Sequence, residues 1–275
     1  MELWTKQHEA QLLPSMIVMF IIAIVLRLTL GKKDLKIRMI PFQILAVFIV
    51  LLEVGKQVVS LKLGYNLYHL PFHFCSLFLS MLPLMAFYRG KHFRVVTGIT
   101  TAIAAAMFLL TAIYPNLIYG GGNIDACAEL LKPETHVIHA GDTNYYLSRY
   151  LDFHTVAFHN VVMLIFLVIA ALDLHEPETK RDVKFSMLYI VGFCVVSASM
   201  AYILKTNYAN FYTCNIAPLE AVRQGVENSI GRIPAVIFYV SVLSALNLAF
   251  VYGSYWFYRL CHKLLKGKKT DKVAA

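Results

Sequence analysis

The sequence predicts an all-α membrane protein, a single domain over residues 1–275 built as a bundle of about seven transmembrane helices. The first observation is composition, since 59% of the 275 residues are hydrophobic and only 15% are charged. Soluble domains contain about a quarter charged residues, so this chain lacks the side chains that keep a surface wet. The second is a series of apolar stretches, and the third is the alternation of basic residues between the segments that connect them.

Seven apolar stretches are each close to the roughly 20 residues that a helix needs to cross the hydrocarbon core. The fourth stretch is rich in small residues, including Gly98, Ala102 and the run Ala104–Ala106, which let helix backbones approach closely. The seven stretches lie at about 12–30, 39–60, 70–88, 95–118, 150–174, 184–204 and 234–260.

The basic residues indicate how the bundle is oriented. Sixteen lysines and arginines lie in the segments 31–38, 89–94 and 175–184 and in the tail from Arg259, whereas the other four segments together hold seven. This alternation predicts an odd number of spans, with the N-terminus outside and the C-terminus in the cytoplasm. It also accounts for the net charge of +9, so no nucleic-acid partner is expected, and the expected location is the cell membrane.

Ionisable residues inside predicted spans are costly and are therefore candidates for function. Glu53 and Lys56 lie in the second span, His73 and Cys75 open the third, and His159 lies in the fifth. With a rise of ~1.5 Å per residue, Glu53 lies ~10 Å, Cys75 ~8 Å and His159 ~13 Å below the outer surface. The polar end of the sixth span, at Asn207 and Tyr208, lies nearer that surface. Four helices thus bring polar side chains to one layer, which predicts a water-accessible cavity that opens outward.

Each of these residues also has a simpler interpretation. Glu53 and Lys56 are three residues apart on one helix and can pair with each other. His159 can bridge helices, Cys75 can be a small packing residue, and His154 is expected to be solvated near the interface.

No spacing in the sequence matches a zinc or haem site, so no metal and no cofactor is expected. His69 and His73, one helical turn apart in the predicted third span, are a weak candidate pair for metal chelation. A further pair, Cys127 and Cys214, lies in the outside loops 119–149 and 205–233. These two thiols either form a disulfide, if that side is oxidising, or stay free.

An ordered set of residues over most of the chain resembles the YwaF-type family of bacterial integral membrane proteins. That resemblance implies a multi-pass membrane protein, and the bacterial family has no firmly assigned activity. The residues are Glu53, Leu70-Pro71-Phe72-His73-Phe74-Cys75-Ser76-Leu77, Pro115, Phe158-His159, Thr206-Asn207-Tyr208 and Gly231-Arg232-Ile233-Pro234.

A more distant resemblance links Glu53-Val54-Gly55 and the later Pro-x-His motif to a eukaryotic membrane family that includes a transacylase of ether phospholipids. That family is thought to use a cysteine nucleophile and a histidine inside the bilayer. The resemblance implies that His159 is the general base and that His73 matches the histidine after the nucleophile. Phe72 stands at the nucleophile's own position, and Cys75, three residues later and close to the same predicted helix face, is the candidate substitute.

Three functions follow as hypotheses. In a lipid acyltransferase or hydrolase, Cys75 forms a thioester, His159 deprotonates it, and Glu53 or His73 orients the base. Lys56, Ser76, Asn207 and Tyr208 then bind the lipid acyl substrate, Ser76 or Asn207 holding the oxyanion. In a carrier for a small solute or a proton, Glu53 and Lys56 form a coupling pair. In a structural subunit, the polar layer only locks the bundle.

Overall fold

The structure, a computed structural model, describes residues 3–213 and 217–266, with side chains described throughout except at 120, 121 and 217. Its regular structure is entirely helical in these ranges. The helices are α1 (Lys6–Leu30), α2 (Leu35–Lys62), α3 (Leu77–Phe87), α4 (Phe93–Ile113), α5 (Pro115–Glu129), α6 (Pro133–Ile138), α7 (Thr143–Ala171), α8 (Thr179–Leu204), α9 (Ala217–Ile230) and α10 (Arg232–Lys266).

The all-α membrane fold is confirmed. Among the described residues, six helices are long and apolar enough to cross a membrane, namely α1, α2, α4, α7, α8 and α10. The third predicted span, 70–88, is instead the shorter apolar segment Phe74–Phe87, whose 14 residues cover only about 20 Å of a hydrocarbon core about 30 Å thick. The orientation of the bundle stays a prediction.

The two long loops that were predicted to lie outside contain helices that the sequence did not indicate. Pro115 and Pro133 occupy the first turns of α5 and α6, where a missing N–H costs nothing. The Asp142 side chain accepts a hydrogen bond from the Tyr145 N–H and caps α7, which therefore begins at Thr143 and not at 150. The second loop contains α9, and α10 extends beyond the predicted 234–260 at both ends.

Helix α4 lies at the centre of the bundle, where it packs against α3, α7, α8 and α10. The small side chains of Ala102 and of Ala104 to Ala106 are completely buried, as expected from the close approach that such residues allow. Farther along the helix, the Phe108 ring packs against Phe166 of α7 and Phe257 of α10, with centroids 4.7 and 6.3 Å away.

The start of the predicted third span is not helical. After α2 the chain turns at Gly64, whose φ of 83° favours glycine, and forms two single 3₁₀ turns, Leu67–His69 and Phe74–Ser76. Pro71 disfavours the helical conformation at Leu70, which is extended, so no helix runs through Leu70 into the following residues. His69 and His73 are therefore not one helical turn apart, and Phe72 and Cys75 share no helix face. We call residues 63–76 the irregular connection.

Three side chains from other elements hold the irregular connection in place. Gln57 Nε2 of α2 donates to the His69 carbonyl at 2.9 Å, and Ser197 Oγ of α8 donates to the Phe72 carbonyl at 2.7 Å. The Tyr208 hydroxyl donates to the Leu67 carbonyl. These donors satisfy three carbonyl groups of the irregular connection and hold its non-helical backbone against α2 and α8.

A second polar network lies at the opposite end of α7 and α8, around the carboxylate of Asp182, which is 1% exposed. His175 Nε2 donates to Asp182 Oδ2 at 2.8 Å, the Tyr255 hydroxyl donates to the same oxygen at 3.0 Å, and Arg181 binds Oδ1 at 2.9 Å. Gly98 of α4 leaves room for this carboxylate, since a Cβ there would lie 2.5 Å from Oδ1. The network joins α4, α8, α10 and the α7–α8 connection.

Candidate functional site

Glu53 is the centre of the polar cluster in the half of the bundle that contains the irregular connection. Its carboxylate lies 2.7 Å from Lys56 Nζ and accepts a hydrogen bond from Gln57 Nε2 at 2.7 Å. His154 Nε2 lies 3.4 Å from the other carboxylate oxygen. The predicted pairing of Glu53 with Lys56 is therefore present, but it is part of a larger group that includes a residue of α7. We call Glu53, Lys56, Gln57 and His154 the Glu53 cluster.

The expectation that His154 is solvated near the interface was wrong. The residue is 6% exposed, and it faces Glu53 across the contact between α2 and α7. The reason is the early start of α7, which places His154 about three turns inside the helix. The Glu53 carboxylate is the charged group that the imidazole faces, although His154 Nε2 forms no hydrogen bond within the described part of the chain.

The irregular connection brings three more of the candidate side chains toward the Glu53 cluster. The Lys56 ammonium interacts electrostatically with His69, His73 and Cys75, and Glu53 interacts with the same three residues. Burial lowers the pKa of the His69 imidazole, and the nearby Lys56 charge lowers it further, against the opposing Glu53 carboxylate. The third predicted span therefore contributes to the same region as the second.

His159 approaches this region from α7. Its side chain interacts electrostatically with Lys56, His73 and His154. The Nδ1 N–H donates to the Thr155 carbonyl at 2.7 Å, so the proton of the neutral ring sits on Nδ1 and Nε2 has the lone pair of a base. The residue is 8% exposed, and the Tyr119 ring packs edge-on against it at 5.8 Å. Among the described residues, no hydrogen bond joins His159 to Cys75.

His73 has the opposite tautomer. Its Nε2 N–H donates to the Tyr68 carbonyl at 3.0 Å, which leaves Nδ1 as the acceptor nitrogen of the neutral ring. The imidazole lies between the Tyr68 and Tyr208 rings, with centroids 4.5 and 5.4 Å away. These contacts fix the ring two residues before Cys75 in the chain.

The four candidate substrate-binding residues, Lys56, Ser76, Asn207 and Tyr208, do not all lie in the same cluster. Lys56 belongs to the Glu53 cluster, and Tyr208 is fully buried with its ring 5.3 Å from Phe72. Ser76 closes the second 3₁₀ turn, since its N–H donates to the His73 carbonyl at 2.9 Å. Asn207 is engaged in its own loop, where its Oδ1 accepts from the Thr213 N–H at 3.1 Å. Of the two candidate oxyanion donors, Ser76 is therefore the one beside Cys75.

Gln57, Tyr65 and Ser197 are site residues that the sequence analysis missed. Gln57 lies between Glu53 and the His69 carbonyl and accepts a hydrogen bond from the Tyr65 hydroxyl at 2.7 Å. Its position one helical turn after Glu53 is a signal that was available in the sequence. No comparable signal identified Ser197, because its role depends on the fold of the irregular connection.

The predicted pairing of Cys127 with Cys214 stays a prediction. Cys127 is half-buried on α5, and Cys214 lies outside the described residues.

Gly55 allows α2 and α7 to approach closely beside the Glu53 cluster. A Cβ at this position would lie 2.1 Å from the Tyr150 hydroxyl oxygen, which donates to the Leu52 carbonyl. We expect Gly55→Ala to lower the stability of the purified protein by about 1–3 kcal/mol, because Tyr150 or α7 has to move. Thermal unfolding in detergent measures this effect. Gly192→Ala is the matched control, since no atom lies within 4 Å of its Cβ position; equal melting temperatures for the two variants would contradict the prediction.

The comparisons with known proteins give one match. The model of the TMEM164 family matches residues 3–255, which is nearly the whole chain and includes every element of the candidate site. No curated protein and no solved structure matches the chain.

Proposed function

Because the chain belongs to the TMEM164 family of membrane proteins, we propose that it is a membrane enzyme that transfers or hydrolyses lipid acyl groups, located in the cell membrane. The sequence resembles two families, one bacterial and one eukaryotic. Membership of the TMEM164 family supports the resemblance to the eukaryotic membrane family. The observation that carries the proposal is the irregular connection, which places His73 and Cys75 within electrostatic reach of the Glu53 cluster. Irregular backbone in a membrane bundle is tolerated where it is buried in protein or lines a cavity, and ionisable side chains within such a bundle are candidates for function.

In the proposed reaction, the Cys75 sulfur attacks the carbonyl carbon of a lipid ester and forms a thioester. The thiol proton passes to His159 Nε2 and then to the departing alcohol oxygen of the lysolipid, as the ester C–O bond breaks. The hydroxyl of a second lipid, or water, then attacks the thioester and regenerates the thiol. The tautomer of His159 fits this role, since its Nδ1 hydrogen bond leaves Nε2 free to accept a proton.

Lys56 is the proposed electrostatic group of the site. The Lys56 charge favours the Cys75 thiolate against the opposing effects of burial and of the Glu53 carboxylate, and it also favours the oxyanion that forms on the carbonyl. Glu53 pairs with this ammonium, and Gln57 and His154 lie against the same carboxylate. Ser76 is the neighbouring hydroxyl that can donate to the oxyanion.

A covalent adduct tests the proposal. Purified protein in phospholipid nanodiscs with labelled acyl chains is quenched in acid, and intact mass and peptide mapping locate the label. We expect one acyl group on Cys75 that neutral hydroxylamine removes, because hydroxylamine cleaves thioesters. Cys194→Ala, which removes a buried cysteine on α8, should leave the adduct unchanged.

The alternative function is a carrier for a small solute or a proton. The observation that favours it is the closed group of Glu53, Lys56 and His154, a charge pair with a titratable partner inside the bundle. A carrier should show solute-dependent protection of Cys75 from a thiol reagent and no acyl adduct. If the protein has no acyl adduct on Cys75 after incubation with the labelled lipid, the enzyme hypothesis is rejected and the carrier hypothesis is favoured.

A further inference from the structure

A group of metal-ligating side chains lies where the α7–α8 connection meets the end of α10, at the opposite end of α7 from the candidate site's irregular connection. Asp173 and Glu176 are in the connection, and His262 is in the last turns of α10. Each side chain offers one ligand atom, and the three atoms all lie within 4.8 Å of one another. Among the residues that the structure describes, it is the one group of three such ligands found at this spacing.

The distances are close to those of a bound metal. His262 Nε2 lies 2.9 Å from Asp173 Oδ1 and 3.8 Å from Glu176 Oε2. Ligands about 2.0–2.2 Å from a tetrahedral zinc ion are separated from each other by roughly 3.3–3.5 Å, so the two pairs that include His262 need to shift by only a few tenths of an ångström. One imidazole and two carboxylates are ligands that zinc-like ions accept, with water in the fourth position.

The connection that holds the carboxylates is fixed by the rest of the bundle. Arg38 of α2 donates to the Leu172 carbonyl at 2.6 Å and to the Asp173 carbonyl at 3.1 Å. The Tyr258 hydroxyl donates to the carbonyl of His175, between the two acidic residues. Because this backbone is held from two sides, the residues that carry the carboxylates are fixed in place, while the Glu176 side chain is 74% exposed and free to turn toward an ion.

A cation already occupies the space between the carboxylates. Lys266 Nζ lies 3.5 Å from Asp173 Oδ2 and also pairs with Glu176. This ammonium is independent evidence that the arrangement attracts positive charge. Lys266 is 41% exposed and sits in the last turn of α10, so a long flexible side chain can leave without disturbing the fold.

We propose that Asp173, Glu176 and His262 form a site for a divalent transition metal of the zinc class, with Lys266 as its competitor. Metal binding displaces the Lys266 ammonium and ties the end of α10 to the α7–α8 connection. The site does not depend on the proposed acyl chemistry, since its residues are separate from the Glu53 cluster.

Zinc titration of the full-length protein in detergent tests the proposal. Metal-free protein is titrated against a chromophoric zinc chelator, and melting temperature is measured in parallel. We expect wild-type protein to bind zinc and to melt at a higher temperature with it. His262→Ala should weaken binding at least roughly tenfold through loss of the nitrogen ligand, and Lys266→Met should strengthen it by about tenfold through loss of the competing charge.

Lys263→Met is the matched control, because Lys263 is an exposed lysine on the same helical end and belongs to no ion pair of the group. This variant should bind zinc as the wild type does. Wild-type protein that binds no zinc would overturn the proposal, whatever Lys266→Met does. So would equal binding by wild type and by a folded His262→Ala variant.

Discussion

Cys75→Ala should abolish acyl exchange between a labelled phospholipid and an unlabelled lysophospholipid in purified protein. The expected loss is complete because alanine cannot form the thioester on which both proposed half-reactions depend. Mass spectrometry of the lipid products measures exchange. Cys194→Ala is the matched control, since it also removes a cysteine side chain from the bundle but lies on α8 among apolar neighbours. Full turnover by Cys75→Ala would reject the nucleophile.

His159→Ala tests the proposed general base in the same acyl-exchange assay, independently of the nucleophile. We expect exchange to fall by about 10²–10⁴, the usual contribution of a positioned general base. The variant should retain its melting temperature more closely than its activity, and external imidazole should restore part of the rate. A proportional loss of melting temperature and activity, without rescue, would instead indicate that His159 only bridges helices.

Asp182→Asn should strongly destabilise the protein, although Asp182 does not contact the candidate site. The substitution removes the buried charge that Arg181 and His175 face, and Arg181 then keeps only its pair with Glu178. Breaking a buried ion pair in this way typically costs about 3–5 kcal/mol. Thermal or denaturant unfolding in detergent measures the effect.

Asp34→Asn is the control for that experiment. Asp34 is an exposed residue before α2 whose side chain makes no capping hydrogen bond, so its replacement should change stability by less than about 0.5 kcal/mol. A melting temperature for Asp182→Asn equal to that of Asp34→Asn would contradict the assigned role of the network.

Hydropathy and charge were sufficient to predict the helical bundle, because long apolar stretches have no other stable form in a bilayer. The close packing around α4 also followed from its small residues. The irregular connection could not be predicted in the same way, since Leu70 to Leu77 is as apolar as a span. Its shape depends on donors that come from Gln57, Ser197 and Tyr208, which are distant in sequence from most of it.

The candidate site was predictable to the extent that it depends on single helices. The Glu53–Lys56 pair followed from their spacing of three residues on α2. His154 was misplaced because the start of α7 was set seven residues too late, at 150 and not at Thr143. Asp182 was overlooked because charged residues in a short connection are expected to be solvated, and only the three-dimensional fold shows that this one is buried.

The most direct test of the acyl-transfer site is an experimental density map of the wild-type protein after incubation with phospholipid. The account predicts acyl density continuous with the Cys75 sulfur, with the Lys56 ammonium beside the thioester and His159 within reach of it. An unmodified Cys75, with lipid only on the outer surface of the bundle and a closed Glu53 cluster, would contradict it.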